Sequence, residues 1–404
     1  MLQNQYLPVH WIDGMKINKN HFIAQNNAFT SQVAQGVSGL LNEYNYGLLP
    51  NASTGNNGLK LAVTTDNQQQ VQVRLQQCRA ITLGGHVIQL GDGSPINGGY
   101  VSAAIPNLSI PFSELRGKSS DYLVVLVVNP YDRTPYGDAD PAELPPRLPY
   151  TLPSYKLELM PVNEVSSDAI GHFQLPVGKL KVLEQKVMLD EDYIAPCSSA
   201  KSHPDLIETH AALEHFFGKM ESYALQIIQK ILQKKQQNEM AGIVQKLCEN
   251  IAFFTASHLS DIKLTHLQQP PVYLISTISA FARLFKNTLD FYTGSGKEEL
   301  LNYCVEWCDV KQGELEGAIT ALANHPYNHL DINESLEKAN GFTKLVKHLF
   351  ANLARLEYIG KRKDTGIFVK EQIIQKDSSM FMQEPKTLSE SEVPQKKRRS
   401  FLVD

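Results

Sequence analysis

The chain has 404 residues, of which 42% are hydrophobic and 20% charged, so it is long enough for two or three domains with ordinary globular cores. Its formal net charge of −4 gives no electrostatic basis for binding nucleic acid or an anionic membrane. The longest strongly apolar run, residues 122–128, has about a third of the length of a transmembrane helix, and the first residues lack the basic and apolar regions of a secretory signal. These features predict a cytoplasmic protein without direct membrane insertion.

The five cysteines are scattered along the chain, and their odd number argues against a disulfide framework. Cys304 and Cys308 lie four residues apart, and together with His325 and His329 they equal the ligand number of a zinc site. An i, i+4 cysteine pair among apolar neighbours is, however, typical of a helix core. We therefore predict no metal site.

The most distinctive segment lies near the N-terminus, where six residues of anchor or turn character occur within twelve positions: Trp11, Asp13, Gly14, Met15, His21 and Phe22. Asp-Gly is a turn pair, and an asparagine among residues 18–20 can cap the helix predicted over residues 21–45. Because chain ends fray unless packing holds them, we expect this arm to be docked. Its large side chains either close over one another as part of a folded arm or form a surface for another protein.

Residues 59–195 have the pattern of strands. Apolar residues alternate over 59–63 and 71–75, and Gly84-Gly85-His86 between two apolar runs predicts a hairpin turn. The continuous apolar run 123–128 predicts a central strand that is buried on both faces. Short strands separated by glycine and proline favour an antiparallel β-sandwich, and the Pro- and Asp-rich residues 129–153 predict a long interaction loop.

After Pro204 the spacing of apolar residues becomes helical. Positions from 206 to 231 alternate four and three apart, including Leu213, Phe217, Met220, Ile227 and Ile231, and similar spacing recurs over 240–254 and 342–356. This predicts an α-helical bundle. Spacing alone does not tell whether the packing partners belong to the same chain or to other copies of it.

Motifs for catalysis are incomplete. Residues 294–297, Gly-Ser-Gly-Lys, are similar to a phosphate loop, but Phe291 replaces its first glycine and Glu298 its Mg²⁺-binding hydroxyl residue. His329 and Asp331 form either a helix-cap pair or an acid–base pair. We predict no enzyme, no catalytic residues and no cofactor.

Five motifs in the same order resemble the TssK family, the trimeric baseplate subunit of bacterial type VI secretion systems, a class of contractile injection system. They are the arm motif from Trp11 to Phe22, Tyr131-Asp132-Arg133 with Arg147, residues 175–180, Asp192-Tyr193-Ile194-Ala195-Pro196 and Tyr327-Asn328-His329-Leu330-Asp331. Each motif alone is weak, but their order over residues 11–360 is hard to obtain by chance.

The patterns and the resemblance together predict an α+β multidomain protein. Residues 1–196 are expected to form an N-terminal arm, a helix and an antiparallel β-sandwich (the shoulder), residues 197–362 an α-helical bundle (the neck), and residues 363–404 a polar tail. The resemblance implies a homotrimeric, non-enzymatic adaptor that links baseplate wedge subunits of the TssF and TssG type to the membrane-side complex. The six arm residues are then the candidates for the wedge interface, and the five helix positions 213, 217, 220, 227 and 231 are candidates for the trimer or the bundle.

TssK-like proteins usually carry a C-terminal head that contacts the membrane complex, but here the residues after Gly360 are too polar to bury a head-sized core. We expect no head, which leaves the membrane-side partner open. The tail is either solvated chain or a docking motif of basic and apolar residues: Lys396, Lys397, Arg398, Arg399, Phe401 and Leu402. The alternative function is a trimeric receptor or glycan-binding protein of phage-tail type, and an enzyme with its site in the 129–153 loop is a third.

Overall fold

A computed structural model describes residues 6–50, 58–91, 95–96, 99–100, 106–165, 170–184, 186–292 and 294–360. An N-terminal helix, α1 (Lys19–Ser38), and two antiparallel sheets come first in the chain, and a bundle of helices follows them. This confirms the predicted α+β class. The tail candidates from Lys396 to Leu402 lie outside the described residues.

Eleven short or long strands precede residue 190 in the described part of the chain. They are β1 (Gly47–Leu48), β2 (Leu59–Thr65), β3 (Gln70–Ile81), β4 (Val87–Leu90), β5 (Pro95–Ile96), β6 (Gly99–Tyr100), β7 (Asn107–Pro111), β8 (Asp121–Tyr136), β9 (Tyr150–Pro161), β10 (Gln174–Val182) and β11 (Val187–Leu189). In the first sheet β3 pairs with β1, β2, β4 and β7; the second sheet has the order β11-β10-β8-β9; β5 and β6 pair with each other. All these pairings are antiparallel.

The two larger sheets share one core, which makes them a β-sandwich. Val73 of the first sheet and Val124 of the second are both fully buried in it. On the opposite face of β8, Leu123 and Val125 are buried beneath Ile170 and Leu330. This strand is therefore buried on both faces, as its continuous apolar sequence predicts.

The predicted hairpin at Gly84–His86 is confirmed, since Ile81 pairs with Val87 across it. The predicted 129–153 loop is wrong in extent, because β8 and β9 continue into it and pair as far as Tyr136 and Tyr150. Beyond Val128, β9 is the one described strand that pairs with β8, and Pro130 lies in a bulge of that ladder between Asn129 and Arg133, where a proline is tolerated. The connecting loop is residues 137–149.

The helical part begins at Pro204. After the one-turn α2 (Phe112–Leu115) of the sandwich, the helices are α3 (Pro204–Gln233), α4 (Glu239–Asp261), α5 (Val272–Asp290), α6 (Ser295–Cys308), α7 (Gln312–Ala323) and α8 (Ile332–Arg355). A π-helical segment, Ile262–His266, continues α4. α3 packs against α4 and α8, and α5 packs against α4, α7 and α8.

The apolar stripe of α3 lies inside this bundle. All five residues singled out as trimer or bundle candidates are at most 2% exposed: Leu213, Phe217, Met220, Ile227 and Ile231. The Phe217 ring lies 5.3 Å from the ring of Phe281 on α5 and 6.0 Å from that of Phe254 on α4. Helices of the same chain therefore fill this seam, and these side chains are not available to another copy.

Two of the motifs meet where the sandwich joins the bundle. The Tyr193 hydroxyl donates to the Leu330 carbonyl at 3.1 Å, and the Ile194 N–H donates to Asn333 Oδ1 at 2.9 Å. His329 Nε2 lies 3.0 Å from the Tyr46 carbonyl, and its Nδ1 lies 2.8 Å from the Tyr327 hydroxyl. Since the carbonyl can only accept, Nε2 carries the proton and Nδ1 accepts from Tyr327.

Candidate functional site

The arm turns at Gly14. Its φ of +80° is a conformation that favours glycine, and the Met15 N–H donates back to the Ile12 carbonyl at 3.3 Å. Asp13 is exposed on this turn, and the Met15 side chain is half-buried. The Asp-Gly turn predicted from the sequence is therefore present, and it directs the chain towards the start of α1.

Two contacts hold the arm in place. The Tyr6 ring stacks on Tyr131 of β8 with ring centroids 4.1 Å apart, and the Val9 N–H donates to Gln25 Oε1 at 3.0 Å. Tyr131 belongs to the second of the five motifs, so two separate motifs meet at this end of the sandwich. The arm is docked, as predicted, but these contacts are made by Tyr6 and Val9 and not by the large side chains of the motif.

The first turn of α1 is closed by a capping box. Asn18 Oδ1 accepts from the Asn20 N–H at 2.9 Å, and His21 Nδ1 accepts from the Asn18 N–H at 3.3 Å. Here a histidine ring does what Glu or Gln does in the common form of this box. His21 thus shapes the arm, and its ring also packs edge-on against Trp11, with centroids 6.1 Å apart.

The two large aromatic residues of the arm motif are exposed. Trp11 lies 6.2 Å from Phe22, ring to ring, yet 44% of Trp11 and 62% of Phe22 remain accessible. The side chains touch one another without being enclosed. Exposed aromatic residues on an ordered segment are typical of the centre of a protein interface, where burial against a partner supplies much of the binding energy.

Exposed apolar residues continue along α1. In this helix small residues are buried and large apolar residues face outwards, which is the reverse of an ordinary surface helix. Its buried residues are small, Ala28, Ser31 and Ala34. They allow close approach to the hairpin turn, where a Cβ on Gly85 would lie only 2.4 Å from the Ala34 carbonyl oxygen. The outward face carries Phe29 and Val33, which are 56% and 66% exposed.

The sequence reasoning missed Phe29 and Val33, although a signal for them was present. With Phe22 and Asn26 they are spaced four, three and four residues apart, as the α3 stripe is. The helix has a single charged residue, Lys19, within its 20 residues. The outward surface of α1 is thus apolar and amide-rich, whereas the arm adds the exposed charges of Asp13 and Lys16.

The other sequence candidates are structural. Residues 294–297 are not a phosphate loop, since Gly294 precedes α6 and residues 295–297 belong to its first turn. Lys297 Nζ pairs with Asp290 at 2.8 Å and with Glu316 at 3.0 Å, and hydrogen bonds to these two carboxylates raise the pKa of Lys297. Asp331 precedes α8 without a side-chain cap bond, and both ring nitrogens of His329 are bonded to other groups, the Tyr327 hydroxyl and the Tyr46 carbonyl.

Cys304 and Cys308 are buried in the helical core, where burial raises the pKa of both thiols, to about 12 for Cys308. Of the residues that the structure describes, no three His, Cys, Asp or Glu side chains are grouped so that they could hold a metal ion. None of the helices in that part of the chain combines the length and apolarity needed to cross a bilayer.

The fold and the arm define a two-part protein, a β-sandwich with an exposed aromatic surface joined to a helical bundle. Neither a family model nor a curated protein matches the chain. Solved structures similar to it include a crystal structure of TssK (15% identity, TM-score 0.45, 85% of this chain and 69% of that chain) and TssK from the type VI secretion system of EAEC in complex with a nanobody (10%, 0.41, 81% and 99%). The baseplate complex of the type VI secretion system contains a third (12%, 0.45, 86% and 99%). The solved structures thus include the family that the sequence motifs resemble.

Proposed function

We propose that this chain is a non-enzymatic structural adaptor of a type VI secretion baseplate. It acts in the cytoplasm as a homotrimer and links wedge subunits of the TssF and TssG type to the membrane-side complex. The observation that carries the proposal is the exposure of Trp11 and Phe22 on an arm that is itself held in place.

The residues of the arm motif have two different roles, and both support this proposal. Gly14 and His21 fix the path of the backbone, whereas Trp11 and Phe22 take no part in any enclosed core. Because the backbone is already ordered, little conformational entropy is lost when a partner covers the two rings. The motif resemblance supplies the identity of that partner, a wedge subunit.

The proposal is tested by replacing the two rings. A Trp11→Ala, Phe22→Ala variant should melt at the wild-type temperature but lose at least tenfold in co-purification with co-expressed TssF- and TssG-type subunits. Phe253→Ala is the matched control, since Phe253 is an exposed aromatic residue on α4. Undiminished capture by the arm variant, or unfolding of its sandwich, would contradict the assignment.

The membrane-side contact is proposed for the tail, residues 363–404. The structure supports this through the place where the tail begins. Lys230, near the C-terminal end of α3, donates to the Leu356 carbonyl at 3.2 Å, and Asn238, just before α4, donates to the Ile359 carbonyl at 3.0 Å. The chain therefore leaves the bundle at the end opposite the junction with the sandwich, where His329 and Asn333 lie.

Deleting residues 394–404 should leave wedge capture unchanged while weakening pull-down of membrane-complex components, because the deletion removes the basic cluster and the apolar tip together. A variant with Lys396, Lys397, Arg398 and Arg399 replaced by glutamine separates charge from apolar contact. Wild-type secretion and unchanged pull-down from both strains would leave the tail as solvated chain.

A further inference from the structure

A cavity of about 390 Å³ lies where the sandwich joins the bundle. Leu123 of β8 and Lys179 of β10 line it from the sandwich, and Leu330 and Asp331, just before α8, line it from the bundle. Its volume is within the range of small-molecule sites, roughly 300–1,000 Å³, and such sites occur preferentially between domains. The cavity therefore has the size and the position of a ligand site.

The sandwich side of this cavity combines apolar residues with an unpaired positive charge. Lys179 pairs with Leu123 in the ladder of β10 and β8, so their side chains share one face of the sheet. Leu123 is buried on that face in a small apolar cluster with Leu330. Lys181, two residues further along β10, pairs with Asp190 at 2.9 Å. The half-buried Lys179 ammonium has no such partner among the residues that the structure describes.

The bundle side of the cavity carries an unpaired negative charge. The Asp331 carboxylate is half-buried and makes neither a cap bond to α8 nor an ion pair within the described part of the chain. Glu43, the other acid at the cavity, accepts a hydrogen bond from the Tyr44 hydroxyl, which raises the pKa of Tyr44. A charge that is partly withdrawn from water without a partner is costly, so Asp331 and Lys179 would each gain from a ligand group of opposite charge.

A third polar group at the cavity is also unpaired. Tyr46 is only 5% exposed, and its hydroxyl makes no hydrogen bond to another described residue. The neighbouring hydroxyls are already used, since Tyr193 donates to the Leu330 carbonyl and Tyr327 donates to His329. Burial raises the pKa of Tyr46 to about 12, so this hydroxyl stays protonated at neutral pH and can donate to an acceptor.

We propose that the cavity binds a small zwitterion of the α-amino-acid class with an apolar side chain. The ligand carboxylate pairs with Lys179 and accepts from the Tyr46 hydroxyl, the ligand ammonium pairs with Asp331, and the apolar side chain packs on Leu123. A ligand with a single charge would leave the other half-buried charge unpaired. Because Lys179 belongs to the sandwich and Asp331 to the bundle, the ligand bridges the two parts at their junction. This inference is independent of the proposed baseplate role.

The first experiment uses the unmodified full chain. L-leucine is titrated into it by isothermal calorimetry, beside 4-methylpentanoate, which is leucine without its ammonium group, and 3-methylbutylamine, which is leucine without its carboxylate. Leucine should bind about tenfold or more tightly than either analogue, because each analogue loses one charged contact. L-methionine and L-phenylalanine are titrated in the same way, since the cavity also has room for larger apolar side chains.

The second experiment removes the two charges from the protein. Lys179→Met and Asp331→Asn should each weaken leucine binding about tenfold or more. Thermal unfolding without ligand should stay within about 2 °C of wild type, because neither side chain loses a partner. Lys179→Met should also bind leucine no better than 3-methylbutylamine, since the carboxylate then has no cation to pair with. Lys181→Met is the matched control on the same strand and should keep the wild-type affinity for leucine.

The outcomes are distinct. Binding of an amino acid by the wild-type chain, with loss in the two site variants and not in Lys181→Met, supports the site. Absence of binding for all three amino acids overturns it. Analogues that bind as tightly as leucine, or equal loss in Lys181→Met, also overturn it, because binding then does not depend on the two charges.

Discussion

α1 and α3 carry apolar residues at the same alternating spacing, but the structure treats them in opposite ways. Phe217 of α3 is fully buried between α4 and α5, whereas Phe29 of α1 is more than half exposed. The difference lies in the other face of each helix. α3 turns charged residues such as Glu208 and Lys219 towards solvent, while α1 turns Ala28 and Ala34 towards a sheet.

This comparison shows what a 3.5-residue repeat establishes. The repeat indicates that a helix has a packing partner along its length, and the composition of the opposite face indicates whether the chain itself supplies that partner. Where the opposite face is polar, the apolar stripe packs into the core, as in α3. Where the opposite face consists of small residues that pack against the rest of the chain, the stripe stays exposed and is available for another contact.

The largest expected effect is at Phe217. Phe217→Ala should lower the free energy of unfolding by about 3–5 kcal/mol, because it empties a fully buried site among Phe216, Phe254 and Phe281. Phe29→Ala removes the same atoms from an exposed site and should change the free energy by less than about 0.5 kcal/mol when the protein is a single chain. Urea unfolding followed by circular dichroism measures both. Equal losses would mean that α1 and α3 are buried alike.

The junction that joins the sandwich of α1 to the bundle of α3 should be sensitive to acid. Burial lowers the pKa of His329 from 6.5 to about 4. The unfolded chain therefore takes up this proton first as pH falls, so the stabilisation is complete above about pH 6.5 and is lost progressively towards pH 4. The full loss is roughly 3 kcal/mol.

His329→Gln is the control for this pH dependence, since glutamine does not titrate. The difference in free energy of unfolding between wild type and His329→Gln should shrink as pH falls from 7 to 4.5, as measured by urea titration at each pH. A difference that stays constant over that range would show that His329 does not report on the junction.

The fold was predictable from sequence where the pattern of apolar residues was unambiguous. The run at 123–128 specified a strand buried on both faces, and the spacing from 206 to 231 specified α3. The extent of β8 was not predictable, because Pro130 and Pro135 look like strand breakers until Pro130 is known to lie in a bulge and Pro135 to lie where β9 is the one described strand that pairs with β8. Whether a proline interrupts a strand depends on which of its neighbours pairs with it, and pairing is set by the tertiary fold.

The candidate site was predictable in its local features, but not where it depends on contacts between distant parts of the chain. Asp13-Gly14 and the cap at Asn18 are local, so the sequence specified the path of the arm. The outward position of Phe29 and Val33 depends on how closely α1 approaches the sandwich, which in turn depends on Gly85, some fifty residues further along the chain than α1. A long-range contact of this kind leaves no periodic signal in one sequence.

The close approach that exposes the α1 stripe can be tested at Gly85. Gly85→Ala should destabilise the protein by about 1–3 kcal/mol and speed amide exchange in α1, because its Cβ would lie 2.4 Å from the Ala34 carbonyl oxygen. Gly117→Ala is the matched control: its φ of +81° is nearly the +82° of Gly85, but no atom lies within 4 Å of its Cβ. The excess loss at Gly85 measures the packing of α1, and equal losses would mean that only backbone strain is involved.

The smallest expected effect compares the caps of two helices. Asn18 accepts from the Asn20 N–H at 2.9 Å at the start of α1, and Asn238 accepts from the Ala241 N–H at 2.7 Å at the start of α4. Replacing either by alanine removes a cap worth about 1 kcal/mol. In α4 the loss should appear in global unfolding, because that helix lies in the core of the bundle. In α1 it should appear mainly as faster amide exchange in the first turn and weaker wedge capture, because that turn carries Phe22 and supports Trp11. If Asn18→Ala lowers global stability as much as Asn238→Ala, the first turn of α1 belongs to the cooperative core, and the division between an exposed α1 and a buried bundle is wrong at this end of the helix.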